Sequence, residues 1–270
     1  MPHTELEYPK EPYGTVKRYS TRATYALRTI HTIVNTSPIL HVSFNAPSSP
    51  FPTILPMLGQ MGSFARPSAD EGDVLDLYLH GYVSSRIMNT SRQSSSEAPG
   101  LPVCVAASHL DGLVLALTPN SHSYNYRSAV LFGHAFVVED PDERLYAMQL
   151  ITDGVVPGRW ENTRVPPNRA EMSSTSVLKV KIVTGSAKIR EGPPGDEKHD
   201  KENGEVVGRV WTGVVPVYQT LGQPVPGPYN QVEGIPGYLK GFVEDSNEWA
   251  REVAVEAATK SGAKKSDNDE

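Results

Sequence analysis

Apolar and polar residues alternate with a period near two over several stretches of the first half of the chain. This period is typical of half-buried β-strands, and it predicts strands over residues 39–45, 51–58 and 74–80. The first two are expected to pair as an antiparallel hairpin. Three prolines lie in or beside the second strand and predict an edge strand or a bulge: Pro50, Pro52 and Pro56.

The sequence predicts three helices. Residues 24–34 place four apolar side chains on one face, and this spacing predicts that His31 faces solvent. Asp140, followed by a proline and two acids, predicts a helix start with an N-cap. Residues 247–260 predict a short helix near the end of the chain. The inward residues of the first helix are Tyr25, Leu27, Ile30 and Val34.

The second half of the chain alternates strongly apolar runs with turn residues. Residues 101–108 and 113–117 predict a second hairpin, with Asp111 and Gly112 at its corner. Three further strands are expected over residues 129–138, 175–189 and 206–218, with Trp211 near the centre of the last.

The composition favours a mainly β protein. The 270 residues include 23 prolines and 22 glycines, which favour many short strands and turns over long helices. The pattern of elements, without a strand–helix–strand alternation, predicts an antiparallel barrel or sandwich. We expect an N-terminal arm over residues 1–20, one domain over 21–220 and a Pro/Gly-rich, charged extension over 221–270. Residues 93–100 and 261–270 are expected to be mobile.

Charge and cysteine usage limit the partners. The formal net charge is −6, and no long basic block occurs, which argues against nucleic acid or an anionic membrane as a partner. The sequence has no apolar leader and no window as long as a membrane span, so we expect a cytoplasmic location. The single cysteine, Cys104, is expected to be a buried strand thiol rather than a nucleophile. No metal is predicted, because three scattered histidines lack ligand spacing: His109, His122 and His134.

Residues 77–88, LYLHGYVSSRIM, combine a strand, a polar turn and a helix start. The hydroxyls of Ser84 and Ser85, the Arg86 guanidinium and the unpaired N–H groups of a first helical turn would together form a phosphate cradle. The alternative is that the serines are helix caps and that Arg86 lies on a solvated face. His80, just before the turn, is either a reactive group or an ordinary histidine at the end of a strand.

Seven motifs follow one another in a consistent order between about residues 16 and 218: TRATYALRTIHTIV, PTILPMLGQMG, LYLHGYVSSRIM, VCVAASHLDGLVLAL, SYNYRSAVLFGHA, VPGRW and SAKIREGPP. The chain thereby resembles the pyridoxamine 5′-phosphate oxidase-like superfamily of FMN-binding split barrels. Within it, the flavin-nucleotide-binding and nitroimidazole-resistance (Nim) proteins are the most similar. The resemblance implies a mainly β fold, a split antiparallel β-barrel with a few short helices. It also implies a homodimer with flavin in the clefts between subunits.

The resemblance also implies roles for individual residues. His80 is the catalytic candidate as a proton donor; the alternative is a hydrogen bond that orients the phosphate loop. Arg127 either contacts the cofactor or pairs with an acid at a dimer interface. Trp211 either closes over the flavin ring or belongs to the core. The implied cofactor-binding residues are Gly81, Ser84, Ser85, Arg86, Asn125, Arg127, Ser128, Lys188, Arg190 and Trp211.

The function implied by the resemblance is a flavin-dependent oxidoreductase that acts on a small organic molecule, in secondary metabolism or in a detoxification similar to nitro-group reduction. FMN is the expected cofactor, ahead of FAD, F420 or haem, and its electrons are expected to come either from NADH or NADPH or directly from the substrate. The sequence lacks a pyridoxal-phosphate substrate pattern, which argues against true pyridoxamine 5′-phosphate oxidase activity. The alternative is a flavin- or haem-binding protein without catalytic activity.

Overall fold

The computed structural model describes residues 5–47, 49–94 and 100–260. Of the segments predicted to be mobile, residues 95–99 and 261–270 lie outside the described part. The strands are β1 (Ala23–Thr24), β2 (Leu40–Phe44), β3 (Thr53–Gly62), β4 (Asp76–Tyr82), β5 (Leu101–Leu115), β6 (Ser123–Val137), β7 (Thr175–Arg190) and β8 (Gly213–Pro216). The helices are α1 (Leu27–Thr36), α2 (Arg86–Ser94), α3 (Pro141–Val155), α4 (Arg169–Ser174), α5 (Lys198–Lys201), α6 (Gly204–Arg209) and α7 (Gly237–Thr259).

The chain divides into two compact units. The first unit contains the residues up to Ser108 together with Ser128–Lys188, and the second unit contains His109–Arg127 and the residues from Ile189 onward. The boundaries therefore fall within β5, β6 and β7. The predicted division into residues 1–20, 21–220 and 221–270 stays a prediction.

The first unit contains a closed antiparallel barrel of six strands. Their order is β7-β4-β3-β2-β5-β6, and a pairing of β6 with β7 closes the sheet. Alternation along each strand directs one set of side chains to the interior, as with Leu40, Val42 and Phe44 on β2, which are all buried. The prediction of a mainly β antiparallel barrel is confirmed, whereas the predicted dimer stays a prediction.

The hairpin of β2 and β3 forms as predicted, with Val42 opposite Leu55. The prediction that β3 is an edge strand is wrong, because β3 lies between β2 and β4. Strand β3 accommodates its proline because its first half pairs with β2 and its second half pairs with β4. Residues 53–57 pair with β2, and the pairing with β4 begins only at Leu58, so the ladder with β4 does not require an N–H from Pro56.

The four predicted inward residues are all buried, three of them in α1 and Tyr25 just before it, but the prediction that His31 faces solvent is wrong. His31 is completely buried, with Nδ1 2.8 Å from the Glu71 carbonyl oxygen and Nε2 2.7 Å from the Tyr8 hydroxyl oxygen. The periodicity of the helix alone does not reveal this, because both partners come from segments distant in sequence. Burial lowers the pKa of His31 and so favours the neutral ring.

The predicted hairpin over residues 101–117 is wrong, since β5 runs without a break from Leu101 to Leu115. Gly112 lies inside the strand, opposite Pro216 of β8, and a Cβ there would come 2.7 Å from Cγ1 of Val214. Asp111 is buried and ion-paired rather than at a turn. Gly112 therefore allows two strands to approach closely, and Asp111 supplies a buried charge. The same two residues in sequence are also typical of a turn.

The second unit also departs from the predicted pattern. The expected strand over residues 206–218 is wrong: α6 occupies its start, and only Gly213–Pro216 form a strand, paired with residues 112–115 of β5. Trp211 lies outside that strand and is 66% exposed. Helix α7 packs against β8 and is much longer than the predicted helix over residues 247–260.

Candidate functional site

The loop over residues 83–86, between β4 and α2, is built as the sequence predicts. Strand β4 ends at Tyr82, whose carbonyl oxygen accepts a hydrogen bond from the Ser85 N–H at 3.0 Å, and α2 begins at Arg86. Arg92 of the same helix folds back and donates to the Val83 carbonyl oxygen at 2.9 Å. The turn is therefore held in place by hydrogen bonds that do not use the serine hydroxyls or the Arg86 guanidinium.

Two side chains of this loop have donors without a partner. The Oγ atom of Ser85 is buried and makes no hydrogen bond to any described residue. The Arg86 side chain is exposed and, in the described part of the chain, has no hydrogen-bond or ion-pair partner. A buried hydroxyl without a partner is costly, and it lies beside the N–H groups of the first turn of a nine-residue helix. This combination fits an anionic ligand.

Gly81 lies at the end of β4 beside the loop, where neighbouring atoms leave little room for a side chain. A Cβ at this position would come 2.8 Å from Cε of Met88 and 3.9 Å from Oγ of Ser85. A side chain at position 81 would therefore require the end of Met88 to shift, and the Ser85 hydroxyl lies buried beside this close approach.

His80 lies on the exposed side of β4, where it is paired in register with Leu58 of β3. Its imidazole makes no hydrogen bond to another residue in the described ranges, including those of the loop. Partial desolvation of the ring lowers its pKa, although the side chain remains exposed, so the neutral form predominates at neutral pH.

The outer surface of β3 and β4 is apolar. The side chains around His80 alternate outward on the two strands, and four of them are exposed: Ile54, Pro56, Leu58 and Tyr82. Exposed apolar residues that are contiguous indicate a binding surface for a ligand ring or a second protein chain.

The second unit holds three of the predicted site residues in internal contacts. Arg127 forms a bidentate ion pair with Asp111, with Nε–Oδ2 and Nη2–Oδ1 distances of 2.9 and 2.8 Å. Arg190 donates to Asn125 Oδ1 and to the Gly192 and Pro193 carbonyl oxygens, and Asn125 Nδ2 donates to Gly192 and to the Ala257 carbonyl oxygen at 3.0 Å. We call Asp111, Asn125, Arg127 and Arg190 the buried polar cluster. Its cofactor role stays a prediction, and its observed contacts are structural.

Ser128 and Lys188 lie together in the first unit, where the Ser128 hydroxyl donates to the Lys188 carbonyl oxygen at 3.1 Å. The ammonium group of Lys188 donates to the Arg18 carbonyl oxygen at 2.7 Å. The exposed indole of Trp211, in the second unit, covers Gly213, where a Cβ would come 2.8 Å from the ring.

Sequence reasoning missed a groove of about 440 Å³ in the first unit. Its lining includes Asn35 and Gln60, and the Gln60 Oε1 atom is buried without a hydrogen-bond partner among the described residues. Nearby strands carry Tyr78, whose hydroxyl donates to Glu143 at 2.7 Å, and Lys179, whose ammonium lies 2.6 Å from the same carboxylate. These residues occupy ordinary strand and helix positions, and no local motif marks them.

Two further classes of site are not found. Within residues 5–47, 49–94 and 100–260, no group of three or more His, Cys, Asp or Glu side chains could hold a metal ion. In the same ranges, no helix is both long and apolar enough to cross a membrane.

The fold and the loop define a class: a closed antiparallel barrel with a candidate anion site where β4 joins α2. Residues 27–189 match the profile of the family described as pyridoxamine 5′-phosphate oxidase, which spans more than half of the chain. The chain therefore belongs to this family, as its motifs predicted. A search of curated proteins found no match.

Two solved structures agree with this assignment. The flavocytochrome Anf3 from Azotobacter vinelandii is 29% identical, with a TM-score of 0.69, and the match covers 86% of this chain and 97% of that one. The FAD- and haem-binding protein from Mycobacterium smegmatis is 27% identical, with a TM-score of 0.65 and a coverage of 82% and 97%. A 5-nitroimidazole antibiotic resistance protein from Bacteroides thetaiotaomicron is 18% identical, with a TM-score of 0.46 and a coverage of 62% and 86%.

Proposed function

We propose that this protein binds a flavin nucleotide and is an oxidoreductase for a small organic molecule. The observation that carries the proposal is the buried Ser85 hydroxyl without a partner, beside the exposed Arg86 guanidinium at the start of α2. A phosphate ester would satisfy the hydroxyl, the guanidinium and the N–H groups of the first helical turn together. Membership of the family and the names of the two structures whose matches cover 86% and 82% of this chain support a flavin as the bearer of that phosphate.

Ser84, Ser85 and Arg86 would hold the phosphate, and the apolar surface around Leu58 would receive the flavin ring. A bound flavin supplies the redox chemistry, and the protein supplies binding, orientation and charge. FMN is the proposed form, with NADH or NADPH as electron donor.

His80 is the proposed proton donor to the substrate. Its imidazole is exposed on the same strand as the loop and has no competing hydrogen bond among the described residues. A neutral ring can donate from one nitrogen, and a protonated ring from both.

A homodimer in the cytoplasm completes the proposal. The apolar outer surface of β3 and β4, with Ile54 61% and Tyr82 63% exposed, would be covered by a second copy of the chain. Sedimentation analysis tests this, and a monomer at micromolar concentration would contradict it.

A second candidate function is a protein that binds both flavin and haem. It is favoured by one observation, the match of two such proteins over 86% and 82% of the chain, which includes residues beyond the family profile. It requires a haem in addition to the flavin, so the visible spectrum separates it from the first candidate.

The first experiment is an absorption spectrum of the protein purified without added cofactor, with mass analysis of any released ligand. A flavin spectrum that NADH or NADPH bleaches and air restores would support the oxidoreductase, and nitroaromatics and quinones would then be screened as acceptors. An additional haem band would favour the second candidate. A colourless protein that takes up neither FMN nor FAD on titration would contradict both.

The Arg86→Ala variant tests the phosphate site directly. Loss of a charged hydrogen-bond donor is expected to cost about 1.5 to 3 kcal/mol of flavin binding, or roughly 10- to 150-fold in Kd. Arg169→Ala is the matched control, because Arg169 is an exposed arginine near the start of another helix, α4. Full flavin affinity in Arg86→Ala would contradict the assignment.

A further inference from the structure

Three cationic side chains of the first unit surround one aromatic ring. The guanidinium carbons of Arg18 and Arg22 lie 5.0 and 4.4 Å from the centroid of the Tyr19 ring, and the ammonium nitrogen of Lys188 lies 5.6 Å from it. We call these four residues the Tyr19 cation cluster. Each contact alone is an ordinary cation–π interaction, but three cations on one ring repel one another.

The backbone fixes this arrangement. Tyr19 has φ 53° and ψ 55°, in the left-handed region, and is the only residue other than glycine in the described part of the chain with a positive φ. Such a conformation is strained for a tyrosine and is kept only where the surroundings enforce it. Lys188 is positioned by its hydrogen bond to the Arg18 carbonyl oxygen and by the register of Ala23 opposite Lys188.

No carboxylate balances these charges. In the described ranges, no acidic side chain forms an ion pair with Arg18, Arg22 or Lys188. Desolvation and repulsion from Arg22 and Arg18 lower the pKa of Lys188. A cation held among other cations gains most from an anion that is not part of the chain.

A polar cavity of about 340 Å³ is lined by residues that adjoin the cluster in sequence or in strand register, and not by the four cluster residues themselves. Ser20, between the two arginines in sequence, and Ala23, opposite Lys188, belong to its lining. Lys10 and Glu7 contribute one charge of each sign to the lining, and Val16 adds an apolar side chain. Four side chains of the lining carry hydroxyls: Thr15, Ser20, Thr24 and Tyr25. This cavity offers hydrogen bonds to an organic molecule rather than to a bare ion.

We propose that the Tyr19 cation cluster binds the phosphate or diphosphate group of an organic ligand, whose polar remainder occupies the adjoining cavity. Arginine forks match phosphate oxygens bidentately, and the lysine adds a point charge. The site uses none of the loop residues Ser84, Ser85 and Arg86. It therefore stands or falls separately from the proposed flavin phosphate site.

The test measures pyrophosphate binding by calorimetry in the full chain carrying Arg86→Ala, so that the loop over residues 83–86 does not contribute. Adding Arg18→Gln and Arg22→Gln is expected to weaken pyrophosphate binding at least tenfold. Arg169→Gln combined with Arg209→Gln, which likewise removes two exposed positive charges, from α4 and α6, is the matched control and is expected to change the affinity less than twofold. Equal affinity with and without the two arginines would overturn the proposal.

A second measurement needs no substitution in the cluster and so does not depend on the folding of variants. Pyrophosphate is expected to slow acetylation of Lys188 by acetic anhydride at least threefold, while acetylation of the exposed Lys240 is unchanged. Equal rates at Lys188 with and without pyrophosphate would overturn the site.

Competition identifies the source of the phosphate. Displacement of pyrophosphate by FAD but not by NADP⁺ would assign the cluster to a flavin diphosphate. Displacement by NADP⁺ but not by FAD would assign it to a pyridine nucleotide. Pyrophosphate that neither nucleotide displaces would mark a site for inorganic ions and would overturn the organic ligand.

Discussion

The loop over residues 83–86 and the buried polar cluster both combine arginine with polar side chains, yet they differ in whether those side chains already have partners. In the loop, the Ser85 hydroxyl and the Arg86 guanidinium have no partner among the described residues. In the buried polar cluster, Arg127 is paired with Asp111, and Arg190 donates to Asn125 and to backbone carbonyls. Arginine, serine and asparagine in a motif therefore indicate polar chemistry, but only donors left without partners indicate a ligand.

Burial explains the difference between the arginines, although not the Ser85 hydroxyl, whose oxygen is itself buried without a partner among the described residues. Asn125, Asp111 and Arg190 are 0%, 3% and 7% exposed, and a charged or amide group at such depth must be satisfied within the protein. Arg86 is exposed and is hydrated in the absence of a ligand, so the folded chain need not supply a partner for it.

Among the substitutions considered, Arg127→Ala should lower the stability of the folded protein most. It leaves the Asp111 carboxylate buried without its partner, and we expect a loss of about 3 kcal/mol in the free energy of unfolding, measured by urea titration. The control is Arg127→Ala combined with Asp111→Ala, which should cost less than the two single changes together. Additive losses would show that the pair does not act as a unit.

Ser85→Ala should show the opposite behaviour. The change removes a buried hydroxyl that has no partner, so the free energy of unfolding without ligand should stay within about 0.5 kcal/mol or rise. Flavin binding should weaken by about 1 kcal/mol, or roughly fivefold in Kd, because the ligand loses one hydrogen bond. Ser84→Ala, at the exposed neighbour, is the matched comparison. A Ser85→Ala protein that is clearly destabilised and binds flavin normally would show that the hydroxyl supports the fold and does not bind the ligand.

The parts of the fold that the sequence predicts correctly are those set by local rules. Alternation predicts β2 and β7, and the residues after Asp140 predict the start of α3, where the Asp140 side chain accepts from the Asp142 N–H at 2.8 Å. The strand, turn and helix around the loop are also local in origin. The barrel order requires pairing between distant strands, and there the resemblance of motifs supplied what periodicity could not.

The wrong predictions concern residues whose environment comes from distant segments. Asp111 and Gly112 have the signature of a turn, but β8 pairs along this part of β5 and Arg127 neutralises the acid. Trp211 is exposed, although a large aromatic residue near the centre of a predicted strand suggested a core position as one alternative. His31 is buried because Tyr8 and the Glu71 backbone provide both of its hydrogen bonds. For Asp111, Gly112 and His31, the partner lies too far along the chain for a local pattern to indicate it.

His31 offers a test of whether satisfied buried groups in the first unit behave like the buried polar cluster. Burial lowers the pKa of His31 below its usual 6.5, so the unfolded chain binds a proton there more readily than the folded chain. The contribution to stability is therefore complete above about pH 6.5 and is lost as the pH falls from there through the folded pKa.

The measurement is urea unfolding between pH 8 and pH 5. His31→Gln should reduce the loss of stability towards pH 5, and Tyr8→Phe should cost about 1 to 2 kcal/mol at pH 8, because it leaves Nε2 buried without a donor. An unchanged pH dependence in His31→Gln would contradict the account.

His80→Gln should have the smallest effect on stability and isolates a chemical role from a binding role. His80 is exposed and makes no hydrogen bond to a described residue, so the free energy of unfolding and the flavin content should change little, within about 0.5 kcal/mol for stability. Proton donation contributes roughly 100-fold or more to a rate, so kcat should fall by about that factor in the assay that the flavin screen identifies. The pKa of His80 is lowered, so a protonated donor would give a kcat that falls as the pH rises through a value below 6.5, and the variant should lack this step. An equal fall in kcat at every pH would favour a neutral donor, whereas unchanged turnover would remove His80 from the chemistry and leave it as part of the apolar surface.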